Sequence, residues 1–230
     1  MNLSVLEKMV REGDLSLSGT RYLLECRTEC ELLDYKITLH LEHPSELASF
    51  SKDVLAMKNL GGGYIVVGVK DQTWEPTGIP ERLPYDTKKI RDQIRKCSGL
   101  DLDVDIVHHE LQVRETKVLF AVIYVRGSAK RRKRRTPTMV EKDFHPKEPF
   151  GLRRGEIYAR RGDSTVKVSS RVELEELLEE LESHADQDAI QAETDSKPFA
   201  VQDGTYRLLE KGYESFIGRD ALREKVLGAV

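Results

Sequence analysis

The sequence predicts an α+β fold: a mixed, mostly antiparallel sheet with packed helices. Two stretches carry that expectation. From Phe50 to Gly68, FSKDVLAMKNLGGGYIVVG reads as a helix, a three-glycine turn and a buried strand. From Val104 to Val113 and from Lys117 to Val125, two alternating runs joined at Glu115-Thr116 read as an antiparallel pair.

The elements follow in order. Leu3 to Arg11 has apolar residues at helical spacing, and a second short helix spans Gly19 to Arg27 after the DLSLSG turn. Residues 1–27 are therefore expected to form a helical lead-in. In Thr28 to Leu39, TECELLDYKITL, Leu32, Leu33, Tyr35 and Ile37 favour a strand. His43, Pro44 and Ser45 open the central helix, with Pro44 or Ser45 as the start signal. Leu47, Phe50, Val54, Leu55 and Met57 give it an apolar face, and Asp53 and Lys58 are its polar members.

Asn59 and Gly61 to Gly63 end that helix, because glycine turns a chain sharply without a Cβ penalty. Tyr64 to Val69 is the strand that follows, with Lys70 and Asp71 at its exposed mouth. Gln72 to Gly78 is a hairpin-like turn containing Trp74, and Asp86 to Cys97 is a helix made basic by Lys88, Lys89, Arg91, Arg95 and Lys96. Gly127 to Phe150 reads as a loop of about two dozen residues, longer than a compact domain keeps without a use. Glu156 to Arg161 is a strand, Gly162-Asp163-Ser164 a turn, and Val166 to Val168 its continuation. Ser169 or Ser170 caps an acidic helix reaching about Glu182. Residues 184–205 are polar and read as a linker, and 206–230 regain apolar residues, with a last helix from about Asp220.

Composition narrows the function. A net charge of −3 and a pI near 6.1 conceal sorting of charge: Lys130 to Arg135 is wholly basic, and Glu173 to Glu182 is mostly acidic. Cys26, Cys30 and Cys97 suit a reducing compartment better than a disulfide framework. No apolar run approaches the roughly 18 residues of a membrane span, and no signal-peptide core is present, so a cytoplasmic protein is expected. The triple glycine is not GxGxxG and follows a helix instead of opening one, which argues against a dinucleotide site. No GxxxxGK[ST] run occurs, so P-loop nucleotide hydrolysis is excluded within these residues.

Four segments, TECELLDYK, KDVLAMKNLGGG, YIVVGVKD and GEIYARRGDSTVKVS, taken in that order resemble the Schlafen-type, Alba-like domain over roughly residues 28 to 170. The resemblance implies a domain at 28–183 that binds nucleic acid and, in some members, is a metal-dependent endoribonuclease using three acids. By position those acids fall on Glu29, Asp34 and Asp71, with Asp34 one methylene shorter than the glutamate often found there. The implied cofactor is Mg²⁺ or Mn²⁺. The segment at 212–230, GYESFIGRDALREKVLGAV, is similar to the stretch preceding the P-loop in STAND-type NTPase modules. That implies a longer chain with NTPase and sensor regions, homo-oligomeric on activation, serving bacterial antiphage defence.

The chemistry stands beside the resemblance. Cleaving a phosphodiester needs a hard cation on a non-bridging oxygen, and clustered carboxylates hold Mg²⁺ or Mn²⁺. Glu29 and Asp34 are five positions apart, so a regular strand puts them on opposite faces. A bulge, or Glu29 lying before the strand, is required. Lys36 shares a face with Asp34 and could steady negative charge on the phosphorane, making Glu29, Asp34, Asp71 and Lys36 the catalytic candidates. The plain alternative for each carboxylate is a solvated strand-end residue.

The expected phosphate-binding surface comprises Lys130, Arg131, Arg132, Lys133, Arg134, Arg135, Arg153, Arg154, Arg160 and Arg161, with the basic face of the 86–97 helix. The leading expectation is an effector endonuclease acting on RNA, transfer RNA included, or DNA. The alternatives are a non-catalytic nucleic-acid-binding module and an oligomerisation domain.

Overall fold

The computed structural model describes residues 1–127, 136–145, 151–181, 201–202 and 205–206. The run Lys130 to Arg135, most of the 184–205 linker and the STAND-like segment at 212–230 lie outside the described residues. The chain divides into a unit at Met1–Glu182 and a second at Ser183–Val230. In the second, Val201–Gln202 and Thr205–Tyr206 pair antiparallel.

In the first unit a four-stranded sheet is built from β1 (Leu33–Lys36), β2 (Gly62–Val67), β3 (Val104–Val113) and β4 (Thr116–Arg126), in the order β1-β2-β4-β3. β1 runs parallel to β2, and the other two pairings are antiparallel, so the sheet is mixed and mostly antiparallel as expected. Its two faces are both buried. Alternation along β2 and β4 sends Ile65, Val67, Ala121, Ile123 and Val125 to one core, shared with α3 (Pro44–Leu60) and α4 (Thr87–Ser98). Tyr64, Val66, Phe120, Val122 and Tyr124 face the other core, shared with α1 (Leu3–Glu12) and α2 (Leu17–Cys26). The leading helices thus cover one face of the sheet and belong to the same compact unit.

The first strand is much shorter than Thr28 to Leu39. Cys30 and Leu33 exchange backbone hydrogen bonds of 3.0 and 3.2 Å, folding residues 30–33 into a turn, and β1 begins only afterwards. Glu29 therefore lies before the strand, one of the two arrangements the five-residue spacing demanded.

α3 differs from its amphipathic reading. Asp53 and Asn59 are buried along with Leu47, Val54, Leu55 and Met57, because the helix is covered on both sides. The sheet lies beneath it, and a hairpin of β5 (Tyr158–Arg161) and β6 (Ser164–Lys167) packs against it. Asn59 fastens this layer: Nδ2 donates to the Tyr158 carbonyl at 2.8 Å and the Thr138 carbonyl at 3.0 Å, while Oδ1 accepts from the Thr138 amide. A helix over 171–181, α5, packs Leu177 and Leu181 on Ala159. Ser170 is its cap. Its hydroxyl accepts from the Glu173 amide and the Glu173 carboxylate accepts from the Ser170 amide, a reciprocal capping box.

The glycine turn divides its labour. Gly61 ends α3 at φ +114° with its amide on the Met57 carbonyl, and a Cβ there would meet nothing within 4 Å. Gly62 has the same φ, but its Cβ would lie 2.7 Å from the Val125 carbonyl oxygen and 2.9 Å from the Gly127 amide. Gly61→Ala should therefore cost about 1 kcal/mol of backbone strain. Gly62→Ala should cost roughly 2–3 kcal/mol or more, because the clash is with backbone of the neighbouring strand. Urea unfolding of both variants checks the ranking, and equal losses would contradict this account.

Candidate functional site

The chemistry predicted for β1 sits in a buried ionic cluster. Leu33 and Tyr35 turn to the α1/α2 core, so the alternate residues Asp34 and Lys36 must point to the α3 side, beside Ile65 and Val67 of β2. There Lys36 Nζ lies 3.0 Å from Asp34 Oδ2 and 2.8 Å from Asp53 Oδ2 of α3. The β5–β6 hairpin closes the cluster from above. Arg160 donates to Asp34 Oδ1 through both terminal nitrogens, at 3.2 and 3.3 Å, and the Thr165 hydroxyl donates to Asp53 Oδ1 at 2.8 Å.

Two carboxylates and two cations leave this quartet with no net charge. Asp34 is 6% exposed, Asp53 8% and Arg160 1%. Burial alone would lower the Lys36 ammonium, but Asp53 and then Asp34 outweigh it and hold its pKa above the ordinary value. Burial pushes the Asp34 carboxyl up, against the pull of Lys36 and Arg160. The quartet is a neutral, inward-facing knot joining a strand, a helix and a hairpin.

The other two predicted acids stand outside it. Glu29 uses Oε1 to accept the Tyr35 amide at 2.9 Å. The Leu32 carbonyl accepts from Tyr64 of β2 and the Lys36 carbonyl from Gly68 and Val69 just beyond it, so by alternation the Tyr35 backbone amide faces the open edge of β1, and Glu29 caps that edge. Asp71 is exposed in the turn after β2, where Oδ1 accepts the Gln72 amide at 2.8 Å. Among the described residues no three His, Cys, Asp or Glu side chains are gathered to hold a metal ion. Asp34 is already neutralised by two side chains, and Glu29 and Asp71 are turned to backbone amides. As arranged, the three acids do not fit one shared Mg²⁺ or Mn²⁺.

The predicted basic surface is redistributed. Arg160 is a correction: it shares a strand face with buried Tyr158 and lies inside the protein, where it cannot meet a phosphate. Arg161, on the opposite face, is taken by Glu180 at 2.7 and 2.8 Å and Glu176 at 3.5 Å. Arg153 and Arg154 are exposed in the turn before β5. His108 and His109 serve the fold from β3, His108 Nε2 accepting the Leu83 amide and His109 Nε2 bonding the Leu15 carbonyl.

Two members of the quartet escaped the sequence reading in their proper roles. Asp53 carried a signal: Phe50, Val54, Ala56 and Met57 lie beside it on the helix, which sets it at the border of the apolar face, with Ser49 and Lys52 as its polar neighbours. Arg160 carried one in the alternation of EIYARR, which pairs it with Tyr158 and sets it apart from Arg161.

Glu29 supplies a pH test. Burial first, then the charges of Asp34 and Asp71, raise its carboxyl above the ordinary value near 4.5. The ionised form is thus disfavoured in the folded state, so this residue's contribution to stability falls as pH rises from that value to the raised one, and the burden is full above it. Glu29→Gln keeps an acceptor for the Tyr35 amide and removes the charge. The variant should gain stability relative to the parent as pH is raised from 4 to 7, measured by urea unfolding along the series. A difference independent of pH would contradict the assignment.

Comparison with known proteins bears on the same residues. The family described as Schlafen, AlbA_2 matches residues 29–169, a span that holds Glu29, Asp71 and every member of the quartet. No curated protein matches the chain. A solved structure, the DIP2311 protein from Corynebacterium diphtheriae, is similar at 19% identity with a TM-score of 0.38. The similarity covers 60% of this chain and 22% of that one. With the family match extending over more than half of its residues, the chain belongs to the Schlafen, AlbA_2 family.

Proposed function

We propose that the chain is a nucleic-acid-binding domain that takes phosphates on the outer face of α4, the carboxylates around β1 serving the fold. The observation that carries this is the α4 face itself, on which Lys88, Lys89, Arg95 and Lys96 are all exposed. Arg91 is not part of it. Its Nε donates to the Val104 carbonyl at 2.8 Å and its terminal nitrogen to Asp105 at 3.0 Å, holding α4 on β3. Arg95 pairs with Asp92 at 2.9 Å, both well exposed, and such a surface pair is weak enough to yield to a phosphate. Family membership supports nucleic acid as the class of ligand. Arg153, Arg154 and the run Lys130 to Arg135 are proposed to extend the surface.

α4 lies over β3, at the far end of the sheet from β1. Three strand spacings, about 14 Å, separate the two strands, so charge changes on α4 should leave the ionic quartet undisturbed. The test is the quadruple variant Lys88→Glu, Lys89→Glu, Arg95→Glu, Lys96→Glu, assayed by fluorescence anisotropy on transfer RNA, single-stranded DNA and duplex DNA over a salt series. Every cation–phosphate pair that the substitutions remove should flatten the slope of log affinity against log salt by about 0.7–0.9, with affinity falling more than about tenfold at low salt. Unchanged affinity and slope would remove α4 from the interface.

A second reading, divalent-metal-dependent phosphodiester cleavage by an oligomer, draws on one observation: the charges of Asp34 and Asp71 both act on Glu29. Incubation of the full chain with each nucleic acid and Mn²⁺, beside Glu29→Ala and Asp71→Ala, separates the readings. The binding reading expects no cleavage above that of the variants. Cleavage that both substitutions abolish would replace it with the nuclease reading.

A further inference from the structure

We propose that Arg160 is a resident cation, its guanidinium filling a cradle of three oxygens that would otherwise seat a divalent ion. One terminal nitrogen donates to Asp34 Oδ1 at 3.2 Å and to the Thr165 hydroxyl oxygen at 3.3 Å. The other donates to Asp34 Oδ1 and to the Cys30 carbonyl, both at 3.3 Å. A carboxylate, a hydroxyl and a backbone carbonyl are the hard oxygen donors that Mn²⁺ or Ca²⁺ accepts, and water completes such a shell. The guanidinium is held by its ends alone, since Nε makes no hydrogen bond among the described residues.

Charge decides which cation occupies the cradle. With Lys36 and Arg160 both present the quartet is neutral, so an added divalent ion meets two fixed positive charges and no net attraction. Without Arg160, Asp34 and Asp53 share one ammonium, a net negative charge stays buried, and a void the size of the guanidinium opens beside Asp34 Oδ1. The cradle then has the charge, the donors and the room for a metal. The protein as it stands keeps its hairpin seated without metal. Phosphate binding on α4 plays no part in this inference, and the two can fail separately.

The test uses the full chain, with thermal unfolding and Mn²⁺ electron paramagnetic resonance as readouts. The parent should bind no Mn²⁺ that depends on Asp34, and its melting temperature should be indifferent to Mn²⁺ and to chelator. Arg160→Ala should melt lower by on the order of 10 °C. Saturating Mn²⁺ or Ca²⁺ should restore at least half of that loss, with one bound ion per chain. Arg160→Gln, which keeps hydrogen-bonding atoms in the cradle, should show the same rescue from a smaller deficit, and the double variant Asp34→Asn, Arg160→Gln should show none. Mn²⁺ binding by the parent that Asp34→Asn abolishes would overturn the proposal, as would failure of the ion to stabilise or refold both single variants.

Discussion

The neutral quartet of Asp34, Lys36, Asp53 and Arg160 is the constraint on which the arrangement of β1, α3 and the β5–β6 hairpin depends. Removing charges from water costs several kcal/mol per ion, and the loss is recovered only when each charge meets opposite charge and hydrogen bonds together. The geometry meets that demand by sharing partners. Lys36 bridges the two carboxylates, and Thr165 links Asp53 to Arg160. Breaking such a knot by removing one partner is costly, because the remaining charge is left buried and unpaired. A one-residue slip of β5 would turn Tyr158 and Arg160 out and Ala159 and Arg161 in, taking Arg161 from Glu180 and replacing a buried tyrosine by an alanine.

The same knot explains why α3 is buried on nearly every side without an orphaned charge. A helix between a sheet and a hairpin needs polar anchors toward the hairpin, because the hairpin's own backbone groups face it. Asn59 supplies one by taking two carbonyls and one amide at once, and Asp53 supplies the other through Thr165. Lys52 adds a third attachment, its ammonium 5.7 Å from the centre of the Tyr158 ring. The polar residues along this helix are thus its fastenings, and its apolar residues fill the core on the sheet side.

Much of this was legible in the chain. The FSKDVLAMKNLGGGYIVVG stretch gave helix, turn and strand because local rules and tertiary packing agree there, and the alternation of Val104 to Val125 gave the antiparallel pair for the same reason. What failed did so where a residue's partner is remote in sequence. Asp34 and Arg160 are 126 positions apart, so a carboxylate read as a metal ligand and an arginine read as a phosphate ligand turned out to answer one another. Glu29 misled in a subtler way. Its position before the strand was one of two arrangements that the spacing left open, and its hydrogen bond to an edge amide depends on β1 being an edge strand, which spacing does not reveal.

The distribution of charge then bears on where a phosphate backbone could sit. Around β1, Lys36 and Arg160 are spent within the quartet and Arg161 on Glu180, Glu29 and Asp71 add negative charge, and Arg27 and Lys70 stand exposed beside those two acids. At the β3 end α4 offers four exposed cations along about 12 Å of helix, enough to span two successive phosphates of a strand. One sheet thus separates the two uses of charge: buried and self-satisfied where it fixes the fold, exposed where an external anion can complete it.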